Sequence, residues 1–361
     1  GEDGKMFLAI KELKFSKSKF ALIILVIILI SYLVYFLTSL AYGLASSYTN
    51  AVNKFEANEI IMTVDSNDNI MMSFITEENY QAVEVNGLKS KLGVFPAVIN
   101  NPLADDILKT REDVYIFGIE NDSFFKPKEN SDLILFGNRV IVDEELKKLG
   151  YKIGDNIAIS GSELQLEIIG FSTKTTYQTA PVIYMDLKEW QTYRYGTNTP
   201  PNIFSAIVVR GSTNEINNDL LSYDINTYIQ TLPGYTAQVL TFSIMIIFLI
   251  IIVAFVLEIF IYVLTIQKTS MFGVMKAQGI SNFYISLSVI LQTLLLVIIG
   301  IIMGLILTLI TGIFLVDIVP FATNIIFYVI ITLAFFLFAL FGALFSVKAV
   351  LKIDPLKAIG G

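Results

Sequence analysis

Two absences limit the residue types that could do chemistry in this chain. The sequence contains neither cysteine nor histidine, which excludes disulfides, thiol nucleophiles, imidazole metal ligands and Ser-His-Asp triads. Any chemistry must use carboxylates, hydroxyls, lysine, tyrosine or methionine. One carboxylate is unusual, because Glu258 is the only acidic or basic residue in the apolar run 237–266. An unpaired charge inside a bilayer is costly, so we expect Glu258 to be protonated and hydrogen-bonded to Gln292 or Thr293.

Apolar runs must position these residues, and four of the runs are long enough to cross a bilayer. Of the 361 residues, 54% are hydrophobic and only 16% are charged, whereas soluble domains are about a quarter charged. A transmembrane helix needs about 20 apolar residues. The predicted spans are 20–48, which includes a stalk, 236–266, 284–316 and 325–347. An ordinary water-soluble enzyme is therefore excluded.

Lysines beside these runs predict the orientation of the chain, because short cytoplasmic segments are enriched in positive charge. The residues in question are Lys11, Lys14, Lys17, Lys19, Lys268, Lys276, Lys348, Lys352 and Lys357. They place three segments in the cytoplasm: residues 1–19, predicted as an amphipathic helix or else as an extension of the first membrane helix, the loop 267–283 and the tail 348–361. Segment 49–235 and the turn 317–324 are then extracytoplasmic. The predicted location is the plasma membrane, crossed four times.

Segment 49–235 has the composition of a folded, water-exposed domain. It contains 26 of the 32 acidic residues and 15 of the 25 basic residues, a balance of −11. Its pattern predicts a mixture of strands and helices. We expect strands at 139–142 and 203–209, helices at 143–149 and 213–228, a hairpin of 156–160 with 164–171, and a loop at 100–106. The predicted fold class is an α-helical membrane protein with an inserted α+β extracytoplasmic domain.

Three segments resemble the MacB/FtsX family of ABC-transporter permeases. "TIQKTSMFGVMKAQGIS" resembles the coupling helix of that family, and "VKAVLKIDPLKAIGG" resembles its C-terminal tail. "VIVDEELKKLGYKIGDNIAISGSELQLEIIGF" is similar to its extracytoplasmic domain. Within the family, "FLAIKELKFSKSKF" and "DPLKAIGG" are most similar to haem-exporting permeases of the HrtB kind and to DevC-type permeases. The resemblance implies the MacB-like (type VII) permease architecture.

The resemblance also implies partners. The chain would form a homodimer in membrane lipids, and a separate ABC ATPase would dock under the coupling helix and bind ATP and Mg. The chain has no G-x-x-x-x-G-K-[ST] phosphate loop, so it is not predicted to be an enzyme itself. No nucleic acid is expected as a partner. The residues expected to couple to the ATPase are Met271, Phe272, Gly273, Lys276 and Gly279.

Haem is the cargo that the resemblance favours, as a transported ligand and not as a resident cofactor. Without histidine or cysteine, the iron could be held only by oxygen or thioether ligands. The expected ligand-binding residues are Tyr177, Tyr235, Glu56, Glu59 and Phe74. Each has a plainer interpretation, because tyrosines often anchor helices at a membrane interface and glutamates are often solvated.

Two other functions are compatible with the same features. One is a non-transporting transmitter of the FtsX type, which would activate a cell-wall hydrolase. The other is an exporter of a lipid, lipopeptide or macrolide.

Overall fold

The computed structural model describes residues 17–196, 201–316 and 318–351, and it divides into two compact units. The helical unit comprises the described residues up to Gly43 and from Leu240 onward, and the β-rich unit comprises Leu44–Val239. Most of the predicted helix 1–19, Asp317 in the predicted turn 317–324 and most of the tail 348–361 lie outside the described residues.

Nine α-helices and twelve strands occur in the described part of the chain. The helices are α1 (Lys17–Lys54), α2 (Glu77–Ala82), α3 (Glu144–Lys148), α4 (Leu187–Tyr195), α5 (Ile225–Thr231), α6 (Tyr235–Gln267), α7 (Thr269–Ala277), α8 (Asn282–Leu315) and α9 (Ile325–Leu351). The strands are β1 (Glu59–Thr63), β2 (Ile75–Thr76), β3 (Glu84–Asn100), β4 (Glu112–Ile119), β5 (Arg139–Asp143), β6 (Asn156–Ile159), β7 (Gln165–Ser172), β8 (Thr176–Tyr177), β9 (Ala180–Asp186), β10 (Ile203–Phe204), β11 (Ala206–Glu215) and β12 (Leu220–Asp224).

Helices α1, α6, α8 and α9 are long and apolar enough to cross a membrane. Together with the sheet-rich insertion between α1 and α6, they confirm the predicted fold class. The short α7 joins α6 to α8.

Small residues on α8 allow close packing against α1 in the helical unit. A Cβ on Gly300 would overlap the side chain of Ile27, and one on Gly304 would lie 2.9 Å from the backbone nitrogen of Tyr32. The Ser31 hydroxyl donates to the Gly300 carbonyl at 3.1 Å. The G-x-x-x-G spacing therefore brings two backbones together, as it commonly does in membranes.

Hydroxyl pairs connect α1 to α9 on another side. The hydroxyls of Tyr35 and Thr332 are 2.6 Å apart, and those of Ser39 and Tyr328 are 2.5 Å apart. Buried polar groups in an apolar environment need such partners, so the two pairs specify how α9 is placed along α1.

A closed barrel forms the centre of the β-rich unit. The strand order is β12-β1-β11-β3-β4-β9-β5-β7-β6, and β6 also pairs with the end of the long β3. This last pairing, Ile99 with Ile159, closes six strands into a ring and leaves β11, β1 and β12 as an extension. Closure removes free edges from those six strands.

The two faces of the barrel strands contribute to two separate cores, as the alternation of side chains along a strand requires. Ile116 of β4 and Ile183 of β9 belong to one core, which also contains Trp190 of α4. Phe117 and Tyr184 belong to the other, together with Phe55 from the end of α1. The end of α1 is therefore part of the folded β-rich unit.

The structure confirms several predicted elements and corrects two. The strand at 139–142, the helix at 143–149, the hairpin of 156–160 with 164–171 and the loop at 100–106 all form close to their predicted bounds. The predicted strand 203–209 is divided at Ser205, whose hydroxyl accepts a hydrogen bond from Val94 N. Its first part pairs with β2 and its second with β3 and β1.

The predicted helix 213–228 is wrong. Thr213 continues β11, residues 220–224 form β12 on the edge of β1, and only Ile225–Thr231 is helical. Asp224 caps this short helix by accepting a hydrogen bond from Asn226 N at 2.9 Å. Pairing with β1 outweighs the local helical pattern, as tertiary contacts commonly do.

Candidate functional site

Two tyrosines face each other where the chain enters and leaves the β-rich unit. Tyr48 lies on α1 and Tyr235 begins α6, and their ring centroids are 5.9 Å apart. Gly234, next to Tyr235, has a φ of +80°. Tyr235 is partly exposed, and its hydroxyl has no hydrogen-bond partner among the described residues. Of the two tyrosines predicted as ligands, Tyr235 is thus the one that a ligand can reach.

Tyr177, the other predicted tyrosine, is fully buried. Its hydroxyl lies 2.8 Å from that of Tyr228 on α5, and its ring makes edge contacts with Tyr115 and Phe117. Burial raises the pKa of Tyr177 to about 12, although its hydrogen bond to Tyr228 acts in the opposite direction. Tyr177 is therefore neutral near pH 7 and cannot offer a phenolate without a rearrangement of its surroundings.

A tight turn joins the two tyrosine pairs. Gln178 and Thr179 follow Tyr177, and their backbone N–H groups donate to the carbonyls of Tyr48 and Ser47 at 3.0 and 3.2 Å. The Tyr115 hydroxyl donates to Gln178 Oε1 at 3.2 Å. Consecutive contacts thus connect five side chains, which we call the tyrosine cluster: Tyr48, Tyr115, Tyr177, Tyr228 and Tyr235. The prediction from sequence missed Tyr48 as a possible ligand, Tyr115 and Tyr228.

Glu56 belongs to a different cluster, around the C-terminal end of α1. Its carboxylate pairs with Lys128 and, at 3.4 Å, with Arg210. The Arg210 guanidinium also donates to the carbonyls of Glu56 and Phe55 at 3.0 and 3.1 Å, capping the helix end. The hydrogen bond and charge of Lys128 lower the pKa of Glu56. Glu56 is therefore an ionised residue that is already paired, although its side chain is 52% exposed.

Glu59 connects three neighbouring strands. Its carboxylate accepts hydrogen bonds from the backbone nitrogen and hydroxyl of Thr213 on β11 and from the hydroxyl of Ser222 on β12. Since Glu59 begins β1, these bonds hold the barrel extension together. A structural role explains Glu59 without a ligand.

Phe74 lies on the loop before β2 and is 45% exposed. Among the described residues it makes no ring contact with a tyrosine. The five predicted ligand-binding residues therefore occupy four places, and only Tyr177 and Tyr235 are connected through neighbouring contacts.

Helix α7 turns one apolar side toward α8 and another toward the surface of the helical unit. Phe272 and Gly273 are buried, and Phe272 packs with Ile285 and Val289 of α8. Met271 and Val274 are 38% and 42% exposed. A partner can therefore contact Met271 and Val274, whereas Phe272 and Gly273 hold the helix in place.

Val274 was not among the predicted coupling residues, although its i, i+3 spacing from Met271 was a readable signal. The remaining two predicted coupling residues lie at the end of the same helix. Lys276 is partly exposed, and Gly279 has a φ of +85°, which suits a glycine that ends a helix.

Glu258 does not make the hydrogen bond expected of it. The Lys268 ammonium donates to Gln292 Oε1 at 2.7 Å, and the described structure has no hydrogen bond from Glu258 to Gln292 or Thr293. Instead, the Glu258 backbone lies beside Gly342 of α9, where a Cβ would be 3.2 Å from its Cα. The expected partner was wrong, and the side chain that bonds to Gln292 is Lys268.

Comparison with known proteins agrees with this architecture. Residues 243–355 match the sequence profile described as FtsX-like permease C-terminal. The C-terminal part of this chain is therefore similar to FtsX-like permease domains. The matched range covers most of α6 and all of α7, α8 and α9, which includes both the small-residue packing of α8 and the exposed side of α7.

Similarity to known permeases extends over the whole chain. It is 26% identical over 364 residues to a protein of Staphylococcus epidermidis (strain ATCC 35984) that carries the name hemin transport system permease protein HrtB. It is also 26% identical over 367 residues to a protein of that name from Staphylococcus haemolyticus (strain JCSC1435). Each comparison covers 99% of both chains. These findings confirm the predicted resemblance to FtsX/HrtB-type ABC permeases.

Proposed function

We propose that this chain is the membrane subunit of an ABC efflux system that exports haem. The observation that carries the proposal is its similarity, over 99% of its length, to permeases named for hemin transport. Four apolar helices and a sheet-rich insertion supply the parts that such a permease needs. Two copies would surround the cargo in the plasma membrane, with both termini in the cytoplasm and the β-rich unit outside.

Within this proposal, haem approaches Tyr235 first. Tyr235 and Tyr48 present partly exposed rings at the point where the chain enters and leaves the β-rich unit, and aromatic rings stack well on a flat macrocycle. Tyr177 would act behind them by holding the turn that contacts Tyr48. Glu56, Glu59 and Phe74 are weaker candidates, since both carboxylates already have partners and Phe74 lies apart.

The exposed side of α7 would receive a separate ATPase. Met271 and Val274 offer an apolar surface, which matches the composition of an interface core better than a solvated helix face. ATP binding to that partner would close the helices and push cargo outward.

The docking surface can be tested by replacing Val274 with aspartate. We expect this change to weaken pull-down of a co-expressed ATPase by the permease and to abolish cargo-stimulated ATP hydrolysis. Val274→Leu is the matched control and should behave as the unchanged chain does. Equal ATPase recovery with both variants would show that α7 is not the docking site.

Haem binding is tested on the full chain in lipid nanodiscs by titrating haem and following its Soret absorbance. We expect a saturable shift that Tyr235→Ala weakens, whereas Tyr235→Phe keeps stacking and loses only oxygen ligation. Haem should also stimulate ATP hydrolysis by the reconstituted pair. A Soret spectrum identical to that of empty nanodiscs would refute haem as the cargo.

A further inference from the structure

A cleft of about 410 Å³ opens on one face of β3 and β4 in the β-rich unit. Pro96 lies opposite Tyr115 and Val98 lies opposite Asp113 in the register of the two strands. Side chains two residues apart on a strand share a face, so these four form the floor. The turn of Gln178 and Thr179 forms one wall. We call this site the Tyr115 cleft.

The wall of the Tyr115 cleft is held in an unfavourable backbone conformation. Gln178 and Thr179 have φ values of +47° and +71°, in the left-handed region that a β-branched residue rarely adopts. Two-residue hairpin turns of this kind normally contain asparagine and glycine. Hydrogen bonds to the carbonyls of Ser47 and Tyr48 stabilise the turn. Strain of this kind is concentrated at functional sites, and here those two hydrogen bonds hold the strained wall in place.

Polar groups at the rim of the cleft are available to a ligand. Neither the Asp113 carboxylate nor the Thr179 hydroxyl has a hydrogen-bond or ion-pair partner among the described residues. The Tyr115 hydroxyl donates to Gln178 Oε1 and keeps its lone pairs free to accept. The floor between these groups is apolar, through Pro96 and Val98.

The charge of the cleft indicates the sign of its ligand. Asp113 is the only acidic or basic side chain that lines it, and Glu112 precedes Asp113 in the chain. The whole segment 49–235 has a balance of −11, which raises the local concentration of cations. An anion would meet no lysine or arginine in the lining.

From this combination we propose that the Tyr115 cleft binds an amphiphilic amine. The ammonium group would lie beside the Asp113 carboxylate, and the apolar body would lie on Pro96, Val98 and the Tyr115 ring. A cation near that ring is further stabilised by its π-electrons. The proposal goes beyond haem, whose carboxylates carry the same charge as Asp113, and it does not depend on haem being the cargo.

Three pyrene derivatives with one ring system and different charges provide the probes. They are 1-pyrenemethylamine, 1-pyrenemethanol and 1-pyrenecarboxylate. Fluorescence anisotropy of each is measured with the full chain in nanodiscs of phosphatidylcholine, and the signal of empty nanodiscs is subtracted. We expect the protonated amine to bind more tightly than the alcohol and the carboxylate to bind least.

Two aspartate variants isolate the role of charge. Asp113→Asn should weaken binding of the amine about five-fold, as loss of a partly solvated ion pair does, and leave the alcohol unchanged. Asp122→Asn removes an equal charge from an exposed position outside the cleft and should change neither affinity. Val98→Trp should fill the floor and weaken all three probes.

The proposal is overturned if Asp113→Asn binds the amine as tightly as the unchanged chain, or if Asp122→Asn weakens it equally. It is also overturned if the carboxylate binds as tightly as the amine. Asp113→Asn is nearly isosteric and exposed, so these outcomes do not depend on whether Val98→Trp folds. Haem binding is measured separately by Soret absorbance, so a failure of the haem proposal leaves these outcomes unaffected.

Discussion

Replacing either member of the buried Tyr177–Tyr228 pair by phenylalanine should destabilise the β-rich unit. Both rings are about 1% exposed, and their hydroxyls are 2.8 Å apart. Tyr177→Phe leaves the Tyr228 hydroxyl buried without a partner among the described residues, which costs about 1–3 kcal/mol. The double variant removes both hydroxyls and leaves no unpaired group, so it should be no less stable than Tyr177→Phe alone.

The only tryptophan of the chain provides the assay. Trp190 is 1% exposed and packs against Gly93 and Gly118, where a Cβ would overlap its ring. Its fluorescence in urea therefore reports unfolding of the β-rich unit while the apolar helices remain in a nanodisc. With a slope of about 2–3 kcal/mol per molar urea, the expected loss lowers the midpoint by roughly 0.3–1.5 M.

The non-additivity of the three variants is the decisive result. If the hydroxyls pair as described, the double variant loses much less stability than the two single variants together. A loss equal to the sum of the single losses would refute the pairing, and with it the role of Tyr177 in holding the turn against Tyr48. The phenylalanine variants also make a cleaner haem experiment than Tyr177→Ala, which would leave a cavity costing about 3–5 kcal/mol.

Three further predictions concern charge and packing. Burial, and after it the charge of Asp143, raises the pKa of Glu145 from 4.5 to about 7. The folded state therefore favours the protonated Glu145, and the stabilisation that this gives is fully present below about pH 4.5 and is lost as the pH rises through 7. Glu145→Gln should therefore raise the free energy of unfolding at pH 8 by about 1–3 kcal/mol, seen as a higher urea midpoint, and should have little effect at pH 5. Equal effects at both pH values would contradict the raised pKa. Burial acts to raise the pKa of Glu129, but hydrogen bonds from Thr173 N and Lys54 outweigh it and lower the pKa to about 2. The contribution of the ionised Glu129 to the stability of the fold is present above about pH 4.5 and is lost as the pH falls toward 2. Glu129→Gln should therefore be less stable than the unchanged chain at pH 7 and approach its stability near pH 3. A loss of stability that is the same at both pH values would argue against the ion pair. Gly304→Leu should lower the melting temperature of the protein in detergent, because the added side chain separates α8 from α1 at an overpacking cost of about 1–3 kcal/mol. Met303→Leu, on the exposed side of α8, should leave the melting temperature unchanged. Equal melting temperatures of the two variants would contradict the close contact.

Periodicity and charge predicted much of the fold, because these signals depend on local sequence. The four long helices follow from uncharged apolar runs, and the helix at 143–149 follows from acids at its start and lysines at its end. The error at 213–228 shows the limit of local signals. Whether 220–224 is helical or extended depends on β1, whose residues lie about 160 positions earlier in the chain.

The candidate site was only partly predictable, since its geometry depends on long-range contacts. Tyr177 and Tyr235 were chosen because tyrosines fall at the matching places in the haem-exporting permeases that the sequence resembles, and the structure does place them in connected contacts. The sequence could not indicate that the hydroxyl of Tyr228, 51 residues from Tyr177, would form a hydrogen bond with the Tyr177 hydroxyl. Nor could it indicate that Arg210, 154 residues from Glu56, would cap the end of α1 and occupy that carboxylate.

These contacts make the two connections of the β-rich unit physically unequal. The last turns of α1 cannot shift without breaking the Arg210 cap and the Lys54–Glu129 pair and exposing Phe55, which is 1% exposed. At the other connection, Pro233 and Gly234 separate α5 from α6, and Gly234 adopts a φ of +80° that few other residues tolerate. Among the described residues this link has no comparable set of ion pairs, so fewer side-chain contacts fix its backbone angles. The end of α1 is therefore held within the β-rich unit more firmly than the link at Pro233 and Gly234.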